Sequence, residues 1–531
     1  MASDDNVDKD DGMTETLDQP FVNISDMLAQ HGRFKARRLA VVCGEDRRTW
    51  GNFDANISRI AHALIADGLQ RGDRVAVLMD NSVEMLEVVF GVIRAGGCAV
   101  PLSGLLTREQ LSGLIADSRA TRAFASAGFR ARLDPARQDA GLEQVRLWVS
   151  FGFDADNWTP LAGFIDGQPA TAPGIRYRPE DDFNIIYSSG TTGLPKGIVQ
   201  THAARLHFAF SNAIELGITS DARTLTTTSL YSNGTWIVML PTLFAGATLH
   251  VMPAFDPATF LETVKAQQIT HSFMVPAQFI MILDHPAMTT ADTSSLQRVL
   301  CAGSPLRRDV KKKVLEQLTP GLCELYGFSE GFAAILKPGE SEDKFATVGT
   351  PVMGFDMRVI DEEGRECPPG QPGEIVGYGA GMLREYNGQP ALTEALIWRD
   401  EHGRSFIRSG DVGVLDADGY LTIIDRKKDM IISGGFNVFP TDVEAVIGQH
   451  PDVADVCVVG VPHDKWGETC LALVIARRDT DADAIKDWAN TRLAKYQRLH
   501  RVELRKEFPR NALGKIMKRL LRDPYWTDAK V

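Results

Sequence analysis

The feature that most limits the fold is an alternation of element types. From about residue 25 to about residue 320, helical and strand-like segments take turns. ANISRIAHALIADGL (55–69) carries apolar residues at helical spacing. DRVAVLMDN (73–81) reads as a buried strand ending in a turn, and MLEVVFGVIRAGGCAVPL (85–102) as a helix, a glycine stop and a strand. Helices are also expected over roughly 201–216 and 257–268, and strands over FNIIYS (183–188) and SFMVP (272–276). Strand, helix, strand in this order makes an α/β fold with largely parallel sheets. After residue 345 the text becomes shorter in period and richer in Gly and Asp. GYGAGMLREY and FIRSGDVGVLDADGYLTIID read as hairpins, with a tight turn at DADGY (416–420). DRKKDMIISGGFNVFP (425–440) then brings a charge cluster and a double glycine, which mark a domain boundary. Beyond it, VADVCVVGVP and CLALVIAR are strands of a small α+β domain.

A chain of 531 residues is too long for one core, because single cores stop growing near ~250–300 residues. The net charge of −12 argues against nucleic acid or an anionic membrane surface as partner. A phosphate ligand stays open, since a few local cations and backbone amides suffice for it. Cys43, Cys98, Cys301, Cys323, Cys367, Cys457 and Cys470 are scattered, odd in number and form no CxxC. That argues against a zinc site or disulfide scaffold and fits a reducing cytoplasm. No apolar run approaches the ~18–20 residues of a membrane span. Residues 1–24 are acidic and apolar-poor, lack the basic start and apolar centre of a secretory signal, and read as a disordered lead-in.

YSSGTTGLPKG (187–197) holds four hydroxyl side chains besides Tyr187, three glycines and one lysine, and it follows directly on the strand FNIIYS. Glycines let backbone N–H groups approach an anion closely. Ser188, Ser189, Thr191 and Thr192 add hydroxyl donors, Gly190 and Gly193 add freedom, and Lys196 adds a full charge. This composition suits a nucleotide triphosphate. It is not a Walker loop, where Gly and Lys are adjacent and Ser or Thr follows; here Lys196 lies between Pro195 and Gly197.

The loop resembles the phosphate-binding signature of the adenylate-forming superfamily: acyl- and aryl-CoA synthetases, firefly-type luciferases and nonribosomal peptide adenylation domains. The other motifs of that family follow in order from about residue 25 to 520. The resemblance implies a large N-terminal domain of two mixed, mostly parallel sheets with a β-rich subdomain (25–427), and a small mobile C-terminal domain (428–531). In CAGSPL (301–306), Gly303, Ser304 and Pro305 would lie against adenine. In ELYGFSE (324–330), Tyr326 would stack on adenine beside Gly327, Ser329 would donate to a phosphate, and Glu330 would hold Mg²⁺. In RSGD (408–411), Asp411 would accept from the ribose hydroxyls. Arg426 would contact the ribose or phosphate side, and Lys428 falls at the hinge. In PRNALGK (509–515), Lys515 resembles the family's mobile catalytic lysine.

The implied reaction joins a carboxylic acid to CoA: ATP gives acyl-AMP and pyrophosphate, then the thiol displaces AMP. Gly434, Gly435 and Phe436 of SGGFNV, with Trp466, Tyr496 and Arg498, would meet CoA, although Leu499 stands where relatives often have proline. The acyl-pocket motif departs from the usual PLFH or PLYH. It reads SLYSNGTW (229–236), with Ser229 for proline and Ser232 for the gating histidine. Tyr231, Ser232, Asn233 and Gly234, with His207, Phe208, Leu325 and Gly327, would line the pocket. Small polar groups beside glycine imply an acid larger than acetate, aryl or substituted medium-chain. A stand-alone enzyme loading a carrier protein is the alternative, and a monomer or homodimer is expected.

Overall fold

The computed structural model describes residues 21–139, 141–188, 195–426, 429–433, 436–463, 466–510 and 514–527. Among these, two α/β sheets form the centre. The first runs Glu385–Tyr386, Lys196–Thr201, Asp182–Ser188, Cys98–Pro101, Arg74–Leu78, Arg122–Ser126, Leu147–Phe151, Thr159–Pro160. It is parallel except for the first two strands, which close one edge antiparallel. The second runs Thr350–Pro351, Phe332–Leu336, Leu322–Phe328, Arg298–Ala302, His271–Met274, Arg223–Thr226, Thr248–Val251, Leu39–Cys43, Asp46–Thr49. Its inner strands are parallel and its edges antiparallel.

Helices lie between these sheets. In Val83–Arg94, capped by Ser82, every residue but Glu84 is buried. A helix that is apolar nearly all round must be covered on both sides, and this one is. With Trp50, Phe53 and Trp236 it joins Val75, Val77 and Phe183 of the first sheet to Val41, Leu249 and Val251 of the second in one core. Arg94 is tolerated there because it donates to Ser58 Oγ, Asp54 O and Ser25 O.

The β-rich part is an antiparallel sheet of Phe355–Ile360, Gly373–Gly379, Ser405–Leu415 and Ile397–Arg399, with Leu421–Arg426 beside Ser405–Leu415. DADGY is the turn between the last two, as expected. The C-terminal part pairs Phe436–Val438, Ile431–Ser433, Gly467–Ala476 and Val453–His463, with Leu499–Leu504 parallel to Gly467–Ala476. Helices Pro440–Ile447 and Ala482–Asn490 contribute Val443, Ile447, Ile485 and Ala489 to its separate core.

Three expectations change. The strand expected at 272–276 is His271–Met274, because Pro276 opens the next helix, Pro276–Leu283; proline fits a first helical turn, where no N–H is needed. GYGAGMLREY is not a hairpin. Its second half crosses to the first sheet, where Glu385 and Tyr386 pair with Val199 and Ile198. The lead-in stops earlier than 24, since Asn23 accepts from Asp26 N and caps helix Ile24–Phe34; residues 1–20 lie outside the described residues. No helix among the described residues is long and apolar enough to cross a membrane.

Candidate active site

Strands Asp182–Ser188 and Lys196–Thr201 pair antiparallel with Ser188 opposite Lys196, so both ends of the proposed phosphate loop are anchored in one sheet. Ser189, Gly190, Thr191, Thr192 and Gly193 lie outside the described residues. The second sheet reaches this edge through its ELYGFSE strand. Gln200 Nε2 donates to Ser329 O at 3.1 Å, and Leu383 N donates to Glu330 O at 2.6 Å. Tyr386 completes the junction. Its hydroxyl donates to Glu330 Oε1 at 2.6 Å, and Lys196 Nζ sits 4.8 Å from its ring centroid. Burial, then the neighbouring Glu330 charge, hold the Tyr386 phenol well above its usual range, so it remains a donor. Lys196 and Glu330, 134 positions apart in the sequence, are thus brought to one place by a residue that the motifs did not single out.

The residues expected at the nucleoside are held in the same way. Arg298–Ala302 runs parallel to Leu322–Phe328, with Ala302 beside Leu325. Gly303 then turns at φ 95° and is exposed. At that angle only glycine is unstrained. Ser304 is half-buried, Pro305 is exposed, and the turn is held from below: Leu306 N donates to Glu324 Oε1 at 3.2 Å, while Glu324 pairs with buried Lys311. Gly327 is open to solvent, and a side chain on it would begin 2.7 Å from Phe332 O. Tyr326 OH donates to Asp411 Oδ2 at 2.7 Å, and Arg426 Nε lies 3.2 Å from Asp411 Oδ1. Burial, then the Asp411 charge, push the Tyr326 phenol far up. Asp411 is therefore oriented from two sides before any ligand arrives.

The C-terminal part meets this frame. Thr441 N donates to Asp425 Oδ2 at 3.1 Å. Gly514, at φ 72°, comes so near the second sheet that a Cβ on it would lie 3.9 Å from Val275 Cγ2. Val275 follows strand His271–Met274, next to strand Arg298–Ala302, which Gly303 follows. Lys515 thus belongs to a segment seated at the C-terminal ends of the parallel strands, where ligands of open α/β sheets bind.

A family model described as AMP-binding enzyme matches residues 28–387, and one described as AMP-binding enzyme C-terminal domain matches 442–515. The chain belongs to the AMP-binding enzymes. Feruloyl-CoA synthase of Amycolatopsis is 33% identical over 496 residues, covering 92% of this chain and 96% of its own. Indoleacetate–CoA ligase of Aromatoleum aromaticum is 31% identical over 504 residues, covering 94% and 97%. The fold, the two matched models and these relatives make the protein an AMP-forming acid–CoA ligase, with ATP and CoA as co-substrates. ATP-bound MatB from Rhodopseudomonas palustris has a TM-score of 0.86 at 27% identity, covering 96% of this chain and 100% of that one. The apo form of the same protein scores 0.75. The chain is thus more similar to the ATP-bound structure than to the apo one.

Of the residues expected at the acyl pocket, Phe208 and Leu325 share an apolar cluster with Ile237, Val275, Ala302 and Phe355. Ser232 stands at the N-cap of helix Asn233–Ala245 without capping it through its side chain, and Gly234 lies in its first turn. The Tyr231 hydroxyl is buried without a partner among the described residues. His207 packs against Phe210 and Phe355, with ring centroids at 4.9 and 5.2 Å, at the seam with the β-rich sheet. Burial lowers its pKa. Sequence reading missed Arg205, which is 1% exposed and donates from Nε to Asn184 Oδ1 at 2.8 Å and from Nη2 to Asn233 Oδ1 at 3.0 Å. A lone arginine on an otherwise apolar helix face was its only signal.

On the C-terminal part of the ligase, Phe436 and Tyr496 stack with centroids 5.3 Å apart and planes 22° apart. Both are exposed, as are Trp466 and Arg498. Lys428, Gly434 and Gly435 lie outside the described residues.

Proposed function

We propose that the ligase activates an aryl or substituted medium-chain carboxylic acid, with the residues above in the following roles. The acid's carboxylate oxygen attacks the α-phosphorus of ATP; that P–O bond forms as the bond to pyrophosphate breaks, giving acyl-AMP. Negative charge gathers on the phosphoryl oxygens, where the ammonium groups of Lys196 and Lys515 are stabilising. Asp411 and Arg426 hold the ribose, and Gly303, Ser304, Pro305 and Tyr326 flank adenine. CoA thiolate then attacks the acyl carbon, and AMP departs with the bond's electron pair.

Glu330 suits Mg²⁺. Tyr386 occupies one carboxylate oxygen and leaves Oε2 unpartnered among the described residues. No cluster of three or more metal-binding side chains exists among those residues. One carboxylate plus substrate phosphates and water is the usual donor set for this ion. When bound, it would offset phosphate charge.

Between the steps the domain 428–531 would pivot at Lys428 against 25–427, withdrawing Lys515 and bringing the Gly434–Gly435 segment and the exposed Phe436, Trp466, Tyr496 and Arg498 to the thiol side. The observation that carries the reading is the convergence of Lys196, Glu330, Asp411 and the Lys515 segment on one end of the sheets. The test is pyrophosphate release across fatty, benzoic, cinnamic and dicarboxylic acids, with and without CoA. One strong responder whose acyl-CoA forms only with CoA is expected. Pyrophosphate without acyl-CoA would favour a carrier-loading enzyme instead, and release with fatty acids alone would overturn the acid class.

A further inference from the structure

Arg205 is buried among the described residues without a carboxylate partner. Its guanidinium lies 5.1 Å from the Phe208 ring centroid and 4.9 Å from that of Trp236. Burial lowers its pKa only to about 9, so it is a cation at neutral pH. A guanidinium donates hydrogen bonds and accepts none. Asn233 must therefore turn Oδ1 toward Arg205 and Nδ2 away from it. That amide nitrogen has no partner among the described residues, and Asn233 is partly exposed. The neighbouring Tyr231 hydroxyl is likewise unpartnered, and Ser232, at a position where serine ordinarily accepts a backbone N–H, does not. Three adjacent polar groups are thus left for something the chain itself does not supply.

We propose that Arg205 is a positioning residue that fixes the Asn233 amide with its N–H bonds toward the acyl pocket, so that the ligase selects acids whose acyl group carries a hydrogen-bond acceptor such as an ether or carbonyl oxygen. This rests on the pocket assignment under the proposed function. Arg205 itself is covered by Phe208 and Trp236 and reaches the acid only through Asn233, so a neutral acceptor suffices. A site built to hydrogen-bond a substrate group rejects the analogue lacking it far more strongly than an apolar pocket rejects a change of one methylene.

The experiment uses the full chain and matched acids: 4-methoxybenzoate against benzoate, 4-methoxycinnamate against cinnamate, and the 4-amino analogues. A methoxy oxygen accepts but cannot donate. The unmodified ligase is expected to favour the methoxy acids by roughly tenfold or more in kcat/KM. Asn233→Asp keeps the contact with Arg205, now as an ion pair, yet offers only oxygens to the pocket. It should lose the methoxy preference and shift toward the amino acids of the panel. Arg205→Gln frees the amide and should lower kcat/KM for each methoxy acid about tenfold more than for its parent; a merely structural role would lower both alike. If Arg205→Gln does not fold, Asn233→Asp still decides. Acyl-CoA formation without any methoxy preference, or an Asn233→Asp enzyme that keeps it, overturns this inference alone. Absence of pyrophosphate and acyl-CoA with every acid overturns the functional reading beneath it.

Discussion

Asp411, proposed to hold the nucleotide, and Asn233, proposed to line the acyl pocket, differ in their surroundings. Asp411 already accepts from Tyr326 and pairs with Arg426; nearby, Glu330 accepts from Tyr386, Ser329 O from Gln200, and Leu306 N donates to Glu324. Around Asn233, by contrast, the Asn233 amide nitrogen and the hydroxyls of Tyr231 and Ser232 have no partner among the described residues. On the proposed reading, the nucleotide end meets its ligand with donors and acceptors already held by the chain. The proposed acyl end keeps polar groups in reserve. Catalytic power should therefore fail at the first end, and selectivity at the second.

The largest loss is expected at Lys515. Lys515→Ala should slow pyrophosphate release at least ~10²-fold if this ammonium stabilises the transition state. Conversion of supplied acyl-AMP to acyl-CoA should largely survive, because that step no longer uses the lysine. Equal losses in both half-reactions would break the division of labour. At Asp411, Asp411→Asn weakens charge-assisted bonds to ribose and should raise KM for ATP roughly tenfold or more, while leaving the ranking of acids intact. Tyr386→Phe removes one donor to Glu330 and should lower kcat by about tenfold. An effect confined to the KM of the acid would place Tyr386 at the other end.

Asn233→Leu tests the acyl end from the opposite direction. The ratio of kcat/KM between a substituted acid and its plain parent should move about tenfold toward the parent, with no change in the order of nucleotides accepted. An unchanged profile would remove Asn233 from the pocket, and with it the contrast between the two ends.

What the sequence could show follows the same line. The motifs around Lys196, Gly303, Tyr326 and Asp411 are local: each lies on one strand or at its end, so the strand and its candidate ligand group are read from one short window. Tyr386 was not legible, because its role depends on a chain crossing from the β-rich sheet to the edge of the first sheet, and no local pattern announces a strand of two residues. Arg205 was hidden for a related reason. It stands on helix His202–Leu216 and bonds to Asn184 on a strand and Asn233 on another helix, so its meaning lies wholly in contacts distant along the chain. The expected strand end at Pro276 failed on a competing signal, since a proline can close a strand or open a helix and here opens one.

The smallest expected effect concerns the scaffold under the acyl end. His202 opens the helix that carries Arg205 and Phe208. It is buried beside Tyr177 and Phe183, and its Nδ1 has no partner among the described residues. Burial lowers its pKa from 6.5 to about 4. The unfolded chain therefore takes up a proton near pH 6.5, while the folded ligase resists until about pH 4. The stability tied to neutral His202 is complete above the upper value and drains away as pH falls through the window. By pH 5 the loss is about 2 kcal/mol, at about 1.4 kcal/mol per pH unit. His202→Gln cannot titrate there, so its melting temperature should fall less between pH 7 and pH 5 than that of the unmodified ligase. Parallel slopes would mean that His202 is solvated or charged in the fold, and that the helix under the acyl end is anchored in some other way.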